Sequence, residues 1–310
     1  MSTCQEFLLI AEAGILERQA VLLCESVRRF GSTDRALTVV SPRPDRRPEA
    51  ATLRALSALG ADYHPLDLHS ACPEYGPSYR IAAAAWCERR PGPEIIVQLD
   101  SDTLFLGEPD FSLDGADFLA RPVDLAGLST TGDGCVFDPF WRELCALAGV
   151  DYDDLPFAMT TIDLLRIRAN YNAGLLVARR SAGLFQRTEV VFGRLVEAGL
   201  KPLESLNGRV RSGAGLVSAK GSAYWGTSQA AFSAAAASLD ARVRILPAPY
   251  NVPLHLLEPP QSPTEPWIHV HYHWLAADGG PGTNRLTDPA QGLPAAAVEW
   301  LRPRLPLSQA

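Results

Sequence analysis

The chain has 310 residues, 47% of them hydrophobic and 20% charged. That is enough apolar material for one large core or two modest ones, and too much for a disordered chain. Acidic residues outnumber basic ones by 35 to 28, for a formal net charge of −7. This balance argues against a protein that coats DNA or RNA, so no nucleic acid partner is expected. Lys201 and Lys220 are the only lysines, so a mechanism built on a catalytic lysine has two candidates. The dominance of Arg over Lys, with abundant Ala, Gly and Pro, reads as bacterial coding from a GC-rich genome.

Cys4, Cys24, Cys72, Cys87, Cys135 and Cys145 form no C-x-x-C pair. They are read as reduced, mostly buried thiols. The N-terminus lacks the basic start and long apolar region of a signal peptide. Nowhere do about 18 apolar residues run together, so no transmembrane segment is expected. The expectation is a soluble, cytoplasmic protein.

Residues 7–10 form a short, wholly apolar run, suited to a strand buried on both faces. Residues 15–30 carry Leu16, Ala20, Leu23, Val27 and Phe30 at helical spacing, closed by Gly31. A second strand at 37–40 stops at the loop of Pro42 and Pro44, and a helix over 52–59 ends at Gly60. An Ala-rich helix over 79–87 is broken by Pro91-Gly92-Pro93 before a strand at 94–99. The region 110–170 is less regular, with Gly, Pro and aromatic residues mixed in. An apolar run at 173–178 and a helix at 184–198 follow it. Then comes a soft stretch with Gly208, Gly213, Gly215 and Gly221, a helix at 228–239 and a strand at 243–246. Strands alternating with helices predict an α/β fold, a mostly parallel central sheet with helices on both faces. Ligands in such sheets bind beyond the carboxyl ends of the strands. Residues 1–278 read as a single domain, and 279–310 as a Pro/Gly-rich tail packing on it.

The run Ile95-Ile96-Val97-Gln98-Leu99 leads straight into Asp100-Ser101-Asp102. Two carboxylates at i and i+2 past a buried strand sit at the mouth of the sheet, where they can share a hard divalent cation. The alternative for a bare D-x-D is a turn-forming Asp pair. A D-x-D phosphatase of the haloacid-dehalogenase type fits less well. Thr103 stands one position early for its motif, and only Lys201 and Lys220 could serve as its lysine.

Five blocks in order carry a resemblance. They are Tyr79-Arg80-Ile81 with the strand and D-x-D that follow; Tyr171-Asn172-Ala173-Gly174; Gly226-Thr227-Ser228-Gln229; Leu246-Pro247-Ala248-Pro249-Tyr250-Asn251; and Ile268-His269-Val270-His271-Tyr272-His273. Together they resemble family 8 of the nucleotide-sugar glycosyltransferases, which have the GT-A fold. The resemblance implies a Mn2+- or Mg2+-dependent transfer of a hexose from a nucleotide-diphosphate sugar, UDP-linked, to an unknown acceptor, with retention. It implies Asp102 as a direct metal ligand and Asp100 as a second, or as a group reaching the ribose. His271 is the implied nitrogen ligand, with His273 as its substitute. Trp267, His269, His271 and His273 would share one face of a strand.

Donor contacts are expected from Ala11, Glu12, Arg80, Asp100, Ser101, Asn172, Gly174 and Ser228. Gln229, Asn172 and Asp100 are the candidate catalytic residues, Gln229 lying near the anomeric carbon. The sequence departs from the family at Ser228, where the family carries Asp, and lacks the family's late Lys-Pro-Trp element after His273. These losses motivate a second reading, a non-catalytic nucleotide-sugar binding protein of the same fold.

Overall fold

The computed structural model describes residues 5–31, 35–204, 210–212, 215–258, 262–276 and 285–307. Cys4, Gly208, Gly213 and the start of the tail lie outside them. The chain begins with alternating elements: β1 (Gln5–Ile10), α1 (Ile15–Phe30), β2 (Ala36–Ser41), α2 (Ala50–Ala58), β3 (Ala61–Pro65), α3 (Pro77–Arg89) and β4 (Ile95–Leu99). A more broken middle follows, with β5 (Thr103–Phe105), β6 (Phe118–Pro122), α4 (Asp138–Ala148), β7 (Phe157–Met159) and β8 (Arg166–Arg168). The long strand β9 (Tyr171–Arg179) and α5 (Leu184–Glu197) come next, then β10 (Arg211–Ser212), β11 (Gly215–Leu216), α6 (Ala219–Ala223) and α7 (Thr227–Ser238). The last elements are β12 (Val243–Ile245), β13 (Val252–Pro253), β14 (His269–His271) and α8 (Ala295–Leu301).

Seven strands form the central sheet in the order β12-β6-β9-β4-β1-β2-β3. All neighbours are parallel except β9, which runs antiparallel to β4 and β6. The apolar run at 173–178 gave no sign of this reversal, because a strand covered on both faces is apolar in either direction. Alternation explains the apolar strands. Phe7 and Leu9 of β1, Val97 of β4 and Leu175 and Val177 of β9 enter one core with α1. Leu8, Ile96, Leu176 and Ala178 point the other way, into a core with α3, α4, α5 and α7. Each such fully buried aliphatic side chain contributes roughly 1.5–3 kcal/mol.

The sequence reading of α1 matches the structure at both ends, where the Gly31 N–H closes on the Val27 carbonyl at 2.9 Å. It missed β3, whose side chains are mostly half-exposed and carry no apolar alternation.

A second, three-stranded sheet, β13-β14-β5, sits beside the carboxyl end of β4. It has its own core of Leu104, Val252, Leu254, Val270 and Tyr272. The described part of the tail, 285–307, packs there through Leu286, Ala297 and Leu301 against Ile15 and Leu22 of α1. This small sheet carries the late histidines to the end of β4. Among the described residues, no helix is long and apolar enough to cross a membrane.

Candidate active site

The site begins where β4 stops. The Asp100 N–H donates to the Gly174 carbonyl at 3.0 Å, the last rung between β4 and β9, and the chain then turns through Ser101 and Asp102 into β5. The Ser101 hydroxyl donates to the Ile10 carbonyl at 2.6 Å, tying this turn to the end of β1. The Thr103 hydroxyl closes the turn on the Asp100 carbonyl at 2.7 Å. The two carboxylates of the D-x-D then go to different partners.

Asp100 forms an ion pair with Arg80, near the start of α3. The other arm of Arg80 lies 3.4 Å from the Ser228 hydroxyl, which also meets the Tyr75 hydroxyl at 2.9 Å. Arg80, Asp100 and Ser228 are therefore brought together, with Tyr75, which the sequence reading did not single out, behind them. Gln229 follows Ser228 in the first turn of α7 and is half-buried.

Asp102 faces the histidines. Its two oxygens lie 3.1 Å from His271 Nε2 and 3.2 Å from His273 Nδ1. The two rings stack at 4.2 Å with 12° between their planes. One donor atom from each of the three residues falls within 4.8 Å of the others. Burial opposes the Asp102 charge, but His271 and His273 outweigh it and hold the carboxyl well below the usual carboxylate range. Burial acts against charge on His271 too, yet Asp102 raises its pKa. Burial, with the His271 charge beside it, pushes His273 down to about 4.

Only His269–His271 form a strand, so the expected single strand face does not extend to His273. His273 has φ +47°, a left-handed conformation rare for a residue with a side chain. That reversal returns its ring onto His271. His269 goes into the core against Phe105, ring centroids 4.7 Å apart, and burial drives its pKa to about 3. It takes no part in the cluster.

Gly174 is explained by a close approach. A Cβ there would lie 2.7 Å from His271 Nδ1 and 2.9 Å from Asn251 Oδ1. Only glycine leaves room for the His271 ring above β9. Asn251 has φ +49° and is 1% exposed, and neither its side-chain oxygen nor its nitrogen has a hydrogen-bond partner. Buried polar atoms left without partners are a mark of a functional site.

Asn172 accepts the Gly174 N–H at 2.8 Å and donates to Asp124 at 2.7 Å. Asp124, just past β6, also accepts the Thr161 hydroxyl at 2.6 Å. Burial raises its pKa, the Thr161 bond opposing. Sequence reasoning missed Asp124 because a lone Asp in an irregular region carries no pattern. Past the end of β1, Ala11 is buried, its N–H on the Val40 carbonyl at 3.0 Å. Glu12 is buried in an ion pair with Arg43, whose guanidinium lies 4.6 Å over the Tyr79 ring.

The donor set fits a divalent cation: a carboxylate and two imidazole nitrogens already converge, and the carboxylate is held ionised. Two nitrogens and one oxygen suit a transition-metal dication better than Mg2+. Both lysines are engaged elsewhere, Lys201 with Glu204 at 3.1 Å and Lys220 with Glu74 at 2.6 Å. This leaves the phosphatase reading without its lysine at the D-x-D.

No curated protein matches the chain. Among solved structures, the chain matches that of the apo WbbM bifunctional glycosyltransferase, at 12% identity and a TM-score of 0.45. The alignment covers 81% of this chain and 40% of that one, so the chain spans less than half the length of that protein. The family model described as the Rhodobacterales glycosyltransferase domain matches residues 7–197, which include Arg80, Asp100, Asp102, Asn172 and Gly174. That is more than half of the chain, and the protein belongs to this glycosyltransferase family.

Proposed function

We propose that the protein is a metal-dependent hexosyltransferase of the GT-A type, using a nucleotide-diphosphate sugar, UDP-linked, and transferring with retention. The observation that supports this best is the convergence of Asp102, His271 and His273 beside the Arg80–Asp100–Ser228 group at the carboxyl end of β4. A dication held by Asp102, His271 and His273 supplies the positive charge that a departing diphosphate needs.

The chain's own residues do the rest. Arg80, fixed by Asp100, offers its guanidinium to a phosphate or sugar hydroxyl. It stands in for the family's missing basic element. Asn172 and Asp124 form a hydrogen-bonded pair that orients sugar hydroxyls. Asp124 supplies a carboxylate near the donor sugar, where the Asp that the family carries at position 228 is replaced by Ser. The Ala11–Glu12 segment past β1 takes the base, with Tyr79 under Arg43 beside it. Gln229, in the first turn of α7, would lie near the anomeric carbon of a bound donor.

A thermal-shift screen of UDP-, GDP- and dTDP-sugars with and without Mn2+ tests the donor class. A shift with UDP-sugars only when metal is present is the expected result; a metal-independent shift with all three defeats the reading. The non-catalytic reading, motivated by Ser228, is separated by donor hydrolysis without acceptor. A transferase releases UDP slowly, and a binding protein releases none.

A further inference from the structure

Four of the six histidines lie between positions 255 and 273, and the motif pattern passes over His255. The small sheet brings it to the site. β13 pairs with β14, Pro253 opposite His271, and the chain then makes a single 3-10 turn, Leu254–Leu256. The His255 ring stands edge-on to His273 with centroids 3.9 Å apart and 6.0 Å from His271, and the Trp274 indole closes its far side at 5.2 Å.

The nitrogens of His255 have unequal surroundings. Nδ1 is buried and has no hydrogen-bond partner. A buried ring nitrogen with no hydrogen-bond partner is costly unless a ligand meets it. His269 also has unpartnered nitrogens, but its ring is packed on Phe105 away from Asp102. His255 differs in lying against two imidazoles that already face a carboxylate.

We propose that His255 is a fourth protein ligand of the Asp102 centre, joining Asp102, His271 and His273 when metal binds. This rests on the metal-site reading above. His255 stands outside the set of donor atoms lying within 4.8 Å of one another, so it enters the shell only with the ion. The resulting three-imidazole, one-carboxylate shell selects a Mn2+, Co2+ or Zn2+ ion over Mg2+. It also gives Asp100 a reason to be spared for Arg80, since a histidine nitrogen occupies the place a second carboxylate would take.

The test uses metal binding to the purified full chain, with no turnover needed. Pulsed EPR of the wild-type protein loaded with Mn2+ counts the coordinated imidazoles; three are expected, and two overturn the proposal. Titration with Co2+ and Zn2+, followed by visible absorption and calorimetry, compares wild type with His255→Ala and His255→Phe. Both variants are expected to weaken binding roughly 10- to 100-fold and to shift the Co2+ bands, with far-ultraviolet circular dichroism unchanged. Recovery of wild-type affinity in His255→Phe makes His255 a packing partner of His273 and overturns the proposal. Loss of binding in Asp102→Ala with no effect of either His255 variant keeps the centre and removes His255 from it. A wild-type protein that binds no dication defeats both readings together.

Discussion

The β1–β4 half of the central sheet and the segment from Asn251 to Trp274 meet at Asp102 and are built in opposite ways. In the first, apolar residues alternate between two cores and the strands are paired along their length. In the second, among the described residues, two non-glycine residues have positive φ and the strands are two or three residues long. The first half is the frame, and the second carries the proposed ligands His271 and His273 to the end of β4. The left-handed turn at His273 persists because the frame beneath it over-determines its place.

Four substitutions test this division. The largest effect is expected for Asp102→Ala, which removes the carboxylate both histidines face. Donor hydrolysis should fall by about 10²–10³ or more while circular dichroism stays native. Unchanged turnover with Mn2+ present would break the assignment of chemistry to this segment.

On the frame side, Ile96→Ala leaves a cavity in a fully buried strand. It should lower unfolding stability by roughly 2–5 kcal/mol in urea titrations, with donor KM unchanged in the folded protein. A change in KM without a loss of stability would show that the frame does more than support.

Gly174→Ala probes the seam, because its Cβ would meet His271 and Asn251 inside 3.0 Å. A stability loss of roughly 1–3 kcal/mol is expected by overpacking, with weaker metal binding as the His271 ring is displaced. Full metal affinity in this variant would show that the ring has freedom the geometry denies it.

His273→Asn should separate strain from ligation, since Asn tolerates the left-handed region. Stability is expected to rise by a few tenths to about 1 kcal/mol, measured as a higher melting temperature of the metal-free protein. Metal affinity should fall roughly 10- to 100-fold. A fall in both would mean that the His273 ring also contributes packing that Asn cannot replace.

Much of the frame was legible because periodicity is a local property. The residues of α1 repeat at helical spacing between a strand and a glycine, and both ends could be read directly. β3 escaped because an edge strand with half-exposed side chains has no apolar signature. The D-x-D was legible as a pair, but its division into Arg80–Asp100 and Asp102–histidine was not. That division depends on which side of the turn α3 and β14 approach, and those elements lie about 20 residues before and 170 after it. Alternation along a strand suggested that His269, His271 and His273 act together. The backbone reversal at His273 broke that pattern and brought two of the three to one carboxylate.

By itself, the amino-acid sequence determined the alternating α/β framework, the placing of two aspartates at the end of a buried strand, and the resemblance that joined five separated blocks. Those are properties of neighbours in the chain. Only the tertiary structure decided that His271 and His273 share Asp102, that Gly174 makes room for them, and that Asp124 and His255 stand beside the site. The physical reason is that ligand geometry is set by distances of a few ångströms between elements far apart in sequence, which no local spacing encodes.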